Sequence, residues 1–142
     1  MTRYRYPGLL LCSIVFVIGN ALHTADHWRR GWGLPLFGVT PEVLVGGVIV
    51  SAGALSVLWL TWKGHPWAPP AATAAGLAGA VMVSAAHLAP PWGVFSNSFL
   101  ALRPDALAWI VVSIEIAGGI ATGVVGLAAW RQRDADMALA HG

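Results

Sequence analysis

The segment that decides the fold is residues 42–62, which read EVLVGGVIVSAGALSVLWLTW. It has no charged side chain after Glu42, and it matches the roughly 20-residue helix needed to cross about 30 Å of bilayer hydrocarbon. Three further stretches are similarly long and apolar, namely residues 7–27, 70–89 and 105–130. Each of these stretches predicts a transmembrane helix.

The composition favours a membrane protein. Hydrophobic residues make up 57% of the 142-residue chain and charged residues only 10%, whereas an ordinary soluble domain carries about 25% charged residues. Little sequence remains outside the four stretches, so we expect one domain spanning residues 1–142. The predicted fold class is all-α, a bundle of four transmembrane helices in a multi-pass protein of the cell membrane (inner or plasma membrane).

The basic residues and tryptophans predict an orientation. Cytoplasmic segments carry an excess of Lys and Arg, and tryptophans favour both membrane interfaces. Five basic residues against three favour a cytoplasmic location for both termini, and the tryptophans form two groups at the expected boundaries. The inner side holds Arg3, Arg5, Lys63, Arg131 and Arg133 with Trp59, Trp62, Trp67 and Trp130, and the outer side holds Arg29, Arg30 and Arg103 with Trp28, Trp32, Trp92 and Trp109.

Small residues recur at helical spacing in the later helices. Ala72, Gly76 and Ala80 are four residues apart, and Gly119 and Gly123 form a GxxxG step. Such stripes let helix backbones approach closely in lipid. They predict either close packing within the bundle or association with another copy or a larger membrane complex.

A polar cluster at the end of the first predicted helix reads NALHTADH, residues 20–27. Helical spacing puts Asn20, His23 and His27 on one face, with Asp26 on its flank. An ionisable residue at membrane depth costs several kcal/mol unless it is paired or solvated, so it is a candidate for function. Two histidines four residues apart can bind one metal ion from a single helix face. Asp26 is then either a further ligand or an acceptor that orients a ring.

Two more polar residues are expected to point into the bundle. His87 shares a helix face with Ser84 and the small residues of the third helix, at nearly the depth of His27. Glu115 shares its face with the GxxxG step, and at about 1.5 Å per residue it lies roughly 13 Å below the start of its helix. That depth matches Asn20. We therefore expect an outer layer of three histidines with Glu115 and Asn20 beneath it.

The leading hypothesis is a membrane enzyme that acts on a lipophilic or interfacial substrate from a site near the extracytoplasmic face. Imidazole-rich sites suit zinc, iron or copper, and an open coordination position suits catalysis. The expected metal ligands are His23, His27 and His87, the expected catalytic groups are Glu115 and Asp26, and the expected supporting residues are Asn20, Ser84, Arg29 and Arg30.

Several alternatives remain open. Glu115 and a histidine could act as an acid–base pair without metal, or His23 and His87 could be the axial ligands of one haem. The chain could instead be an accessory subunit of a larger complex or a small transporter. A purely structural interpretation has Glu115 joining helices by a hydrogen bond and the histidines wetted by headgroup water.

The expected partners are membrane lipids, a lipophilic small molecule, and another copy or a larger membrane complex. The two long outer connections, residues 28–40 and 90–104, are rich in apolar side chains. They could cover the site as a lid or lie in the interface as anchors. No dense basic patch of the kind that binds nucleic acid is present, so a nucleic-acid partner is not expected.

Overall fold

The computed structural model describes residues 6–30 and 41–141, with the side chains of 41, 140 and 141 excepted. These ranges are mostly helical and contain no strand. The helices are α1 (Pro7–Arg29), α2 (Pro41–Trp62), α3 (Ala68–His87), α4 (Phe99–Leu102) and α5 (Ala106–His141). Trp32 and the apolar residues of the segment 31–40 were expected on the outer side, but this segment lies outside the described residues.

Four of the helices are long and apolar enough to cross a membrane, as the sequence predicted. α3 begins slightly earlier than expected, because Pro69 and Pro70 fit its first turn. The N–H groups of the first turn have no acceptor within the helix, so proline loses no hydrogen bond there. α5 continues well beyond residue 130 to His141. No Gly or Pro interrupts residues 127–141, and their Ala, Gln, Arg, Met and Leu residues favour helix. The one-turn helix α4 was not predicted.

α5 packs directly against both α1 and α3, and glycines make this close approach possible. A Cβ placed on Gly76 of α3 would lie 2.6 Å from both Gly119 O and Gly123 N of α5. On the other side, a Cβ on Gly19 of α1 would lie 2.8 Å from Glu115 Cα. The predicted small-residue stripes of α3 and α5 therefore face each other inside the bundle.

α2 is held less tightly than the other helices and is mostly exposed along its outer flank. Near its middle it approaches α3 closely, since a Cβ on Gly53 would lie 3.5 Å from Ala75 Cβ. Nearer the start of α2 there is open space between α2 and α3, since a Cβ on Gly46 would have no atom within 4 Å. The apolar core between these levels includes the buried Phe16 and Val50.

An exposed ion pair joins α1 and α5 at the end of the bundle that holds the histidines. Asp105 Oδ1 accepts a hydrogen bond from the backbone N–H of Ala108 at 3.1 Å, which caps the start of α5. Asp105 also accepts from Arg29 Nη2 at 2.8 Å. The Ala108 N–H and then the Arg29 guanidinium hold the pKa of Asp105 below its usual range. At the other end, Arg133 of α5 donates to Pro66 O at 2.6 Å.

The packing predicts that Gly76→Ala will destabilise the protein by about 1–3 kcal/mol, because the added methyl group meets the α5 backbone rather than a flexible side chain. The matched control is Gly8→Ala, where a Cβ meets nothing within 4 Å. Thermal unfolding of the detergent-purified variants measures the effect. Equal stability of the two variants would contradict this packing.

Candidate metal centre

Three histidines from two helices meet near one end of the bundle. His23 and His27 come from successive turns of α1, and His87 is the last residue of α3. Their ring centres are 4.6 Å apart for His23 and His27, 4.7 Å for His23 and His87, and 5.5 Å for His27 and His87. One ring nitrogen from each lies within 4.8 Å of the others. We call these three residues the histidine cluster.

The histidine cluster is buried, with 7% of His23, 6% of His27 and 4% of His87 exposed. α1 passes close to α5 at Gly19, one turn below His23, and this brings the rings over the interior of the bundle. From the other side the Phe99 ring of α4 packs on His87, with 4.9 Å between ring centres. The interpretation of these histidines as wetted by headgroup water does not fit this burial.

Glu115 is the first anchor of the histidine cluster. It is 1% exposed, and its Oε2 is in direct contact with His23 Nδ1. Its Oε1 accepts a hydrogen bond from Asn20 Nδ2 at 2.8 Å, and Asn20 Oδ1 accepts one from Ser51 Oγ at 2.8 Å. The hydrogen bond between Glu115 and Asn20 agrees with the depth that the sequence predicted for both residues, and Ser51 extends the chain of hydrogen bonds to α2.

The Nε2 atom of the His23 ring is available to bind a ligand. With Nδ1 engaged by the Glu115 carboxylate, Nε2 is buried and has no hydrogen-bond partner among the described residues. Buried polar atoms normally have a hydrogen-bond partner, and one without a partner can mark the position of a bound ion. A carboxylate on the far nitrogen of a metal-binding histidine is the usual arrangement, because it fixes the tautomer and orients the ring.

His87 is oriented by a backbone carbonyl. Its Nδ1 lies 3.1 Å from Asn97 O, and because a carbonyl only accepts, Nδ1 is the donor. In the neutral ring the lone pair is then on Nε2, the form that binds a metal. The loop is fixed in turn, since the N–H of Asn97 donates to Ala86 O at 2.9 Å and Ser98 Oγ donates to Ala89 O at 2.6 Å.

His27 differs from the other two rings in its neighbour. Arg30 Nη2 lies 3.3 Å from His27 Nδ1, and because a guanidinium only donates, this nitrogen is the acceptor. Arg30 also lies over the Phe99 ring, 5.5 Å from its centre. Binding of a metal through Nδ1 of His27 would require Arg30 to withdraw from the ring.

The acidic residue Asp26 belongs to a neighbouring group of ions. It is 4% exposed, and its Oδ2 accepts from Arg30 Nε at 2.7 Å. Its Oδ1 accepts from Arg29 Nη2, also at 2.7 Å. Within residues 6–30 and 41–141, the group that could hold a metal contains the three histidines and not Asp26.

The structure therefore brings together most of the residues proposed from the sequence. Arg29 and Arg30 neutralise Asp26 beside the histidine cluster. Ser84 is half-buried, and its backbone oxygen accepts from the N–H of Leu88 at the end of α3. The carbonyl of Asn97 was not predicted as a partner of His87, because a backbone acceptor in a loop does not depend on residue type. The residues that meet at the site are Asn20, His23, His27, His87 and Glu115.

A cavity of about 370 Å³ adjoins the histidine cluster. Polar groups contribute one part of the wall, which consists of the three histidine rings, Asn20, Thr24 and Glu115. The remaining wall is apolar and comes from α2, α3 and the loop after α3. That part is formed by Val43, Gly46, Gly47, Val50, Val81, Met82, Val83, Ala85, Ala86, Trp92 and Phe95.

Comparison of the chain with known protein families, with curated proteins and with solved structures found no match. The chemistry of the site must therefore be argued from its own geometry.

The hydrogen bonds of Glu115 predict a stability difference between two variants. Glu115→Ala leaves the Asn20 amide and the His23 ring without their acceptor, at about 1–3 kcal/mol for each buried polar group left unpaired. Glu115→Gln keeps a carbonyl oxygen at the same place and should lose less. Thermal unfolding in detergent gives the comparison, and an alanine variant as stable as the wild type would show that these bonds do not hold α1 to α5.

Proposed function

We propose that this chain is a multi-pass membrane protein that binds one transition-metal ion through the histidine cluster. The ion would serve chemistry on a lipophilic molecule. The observation that carries the proposal is the pairing of two features: three buried imidazoles whose ring nitrogens lie within 4.8 Å of one another, and protein acceptors on the far nitrogens of His23 and His87. The first supplies the ligands, and the second supplies the groups that orient them.

The three imidazole ligands restrict which metal ion the site would bind. Three neutral imidazoles suit zinc, copper or iron, whereas magnesium and calcium prefer oxygen. Three protein ligands leave a fourth position for water or substrate, which distinguishes catalytic zinc sites from structural ones. The cavity lies beside the histidine cluster, where that position would be needed. The carboxylate of Glu115 would offset part of the ion's charge in a site that excludes water.

The chain's own residues supply the rest of the site. Glu115 holds His23 through Nδ1, and Asn20 holds Glu115. Asp26 contributes through Arg30, which it keeps next to His27. Asp26 is therefore proposed as a positioning residue, while Glu115 remains the candidate for proton transfer at the cavity.

The setting in the membrane is part of the proposal. The histidine cluster lies at the end of the bundle opposite the turn that carries Lys63 and contacts Arg133. With the excess of basic residues on the cytoplasmic side, both termini lie in the cytoplasm and the histidine cluster lies near the outer face of the cell membrane.

Two of the alternatives fit the geometry less well. A haem held by His23 and His87 would have to fit between the two rings, yet their ring centres are only 4.7 Å apart. A role in assembly was suggested by the glycine stripes, but Gly76, Gly119 and Gly123 are occupied with one another inside the bundle.

The metal proposal predicts that the purified protein binds about one equivalent of zinc or cobalt per chain. His87→Ala removes a ligand and should weaken binding at least about tenfold, since even the loss of a residue that orients a ligand costs about 10–100-fold. His65→Ala is the matched control, because His65 lies in the turn at the far end. Binding is measured by elemental analysis and by titration of metal-stripped protein. Equal retention by the His87→Ala variant and the wild type would refute the site.

A second candidate function is acid–base catalysis by Glu115 and His23 without a metal. The direct contact of their side chains at the polar part of the cavity wall favours it. Such a pair could move a proton to and from a bound lipophile.

Nitrogen NMR of protein labelled with ¹⁵N-histidine distinguishes the two functions. If the metal site is correct, one equivalent of zinc shifts the ring signals of His23, His27 and His87 and leaves His65 unchanged. If the acid–base pair operates alone, zinc shifts none of these signals.

A further inference from the structure

We propose that the cavity binds an uncharged lipophile of single-chain or single-ring width, which enters from the bilayer between α2 and α3 with its polar end toward the histidine cluster. The shape and chemistry of the cavity carry this inference. Only the contact of the polar end with a metal rests on the proposed function.

The size of the cavity limits the ligand. Water occupies about 30 Å³ per molecule in the liquid, and a methylene group is of similar size. The volume of about 370 Å³ therefore accommodates about a dozen non-hydrogen atoms. A single acyl chain of moderate length or one substituted ring fits, whereas an intact two-chain phospholipid does not.

The charge distribution of the wall favours an uncharged ligand. Of the described residues that line the cavity, none is Lys or Arg, and Glu115 is the one acid. Arg30, which contacts His27, is paired with Asp26 and does not line the cavity. In protein without a bound metal, a carboxylate or phosphate would therefore enter without a cationic partner in the wall and next to an existing carboxylate. Burying an ion without a partner is strongly unfavourable. A hydroxyl or carbonyl group matches the polar part of the wall better, because Asn20, Thr24 and the histidines can exchange hydrogen bonds with it.

The access route follows from the packing of α2 on α3. The two helices are in contact at Gly53 and Ala75, but no atom lies within 4 Å of a Cβ on Gly46. Val81 and Phe95 line the cavity and are nevertheless 67% and 44% exposed on the outer surface. Residues that line the cavity and are also exposed on the surface of the bundle indicate that the cavity is open there. In the proposed membrane setting this opening faces acyl chains rather than water.

Gly46 provides a way to fill the cavity without disturbing the helices. Since a Cβ at this position meets no neighbour, the larger side chain of Gly46→Phe can occupy the cavity with the backbone unchanged. Val48→Phe is the matched control on the same helix, because Val48 is 60% exposed and does not line the cavity.

The experiment uses the full chain in lipid nanodiscs and a straight-chain alcohol of about twelve carbons that carries a diazirine within its chain. After illumination, mass spectrometry locates the label. The expected result is labelling of Met82, Trp92 or Phe95 that unlabelled dodecanol abolishes and dodecanoate does not. This labelling should be lost in Gly46→Phe and retained in Val48→Phe.

Labelling spread over the exposed faces of the helices, and equal in both variants, would overturn the inference. In protein that holds no metal, equal competition by dodecanoate would also overturn it, because it would show that the wall itself accepts an anion. Metal content measured on the same samples separates this test from the proposed function. Cavity labelling in protein that binds no metal supports the lipophile site and refutes the metal, whereas metal binding without cavity labelling does the reverse.

Discussion

The contact between α1 and α5 at Gly19 and Glu115 is the constraint on which the site depends. Only a residue without a Cβ allows the α1 backbone to lie this close to Glu115 Cα, since an added Cβ would be 2.8 Å away. At this separation the Glu115 side chain spans from α5 to His23 and Asn20 of α1. The same short distance holds the helices together and places a carboxylate behind the first imidazole.

The bundle combines tight and loose packing, and the two serve different purposes. α5 is fixed between α1 and α3 by glycines that meet backbone atoms, which leaves little freedom to shift. α2 contacts the others through a narrower surface and leaves a cavity toward its start. Rigid elements are the better support for a constellation of ligands, and all three members of the histidine cluster belong to α1 and α3. The helix with fewer constraints forms the wall through which a molecule would pass.

The polar residues around the histidine cluster form two separate groups. Asp26, Arg29, Arg30 and Asp105 neutralise one another at the end of the bundle, where Arg29 and Asp105 are exposed. Deeper inside, Glu115, Asn20 and Ser51 form a chain of hydrogen bonds that ends at His23. His23 Nε2 then lies beyond the last of these bonds. Among the described residues, the buried Ser96 Oγ and Thr122 Oγ1 also have no hydrogen-bond partner, but of these three residues only His23 lines the cavity, where a ligand could reach it.

The sequence by itself determined the four long helices, because a helix pairs the backbone polar groups of a long apolar stretch within the stretch itself, and all four are long and apolar enough to cross a membrane. It also determined which residues face inward, since small residues and polar residues recur on the same helical faces. The depth match of Glu115 with Asn20 followed from the rise per residue alone.

Only the tertiary structure decided which polar residues meet. Asp26 and Glu115 were equivalent candidates in the sequence, but Asp26 has arginines one turn away on its own helix and Glu115 faces His23 across the bundle. The role of the Asn97 carbonyl depends on how the loop folds back over α3. The cavity beside α2 likewise depends on contacts between distant segments. Helical periodicity fixes the face on which a residue lies, whereas the distance between two faces is set by how closely the backbones can approach.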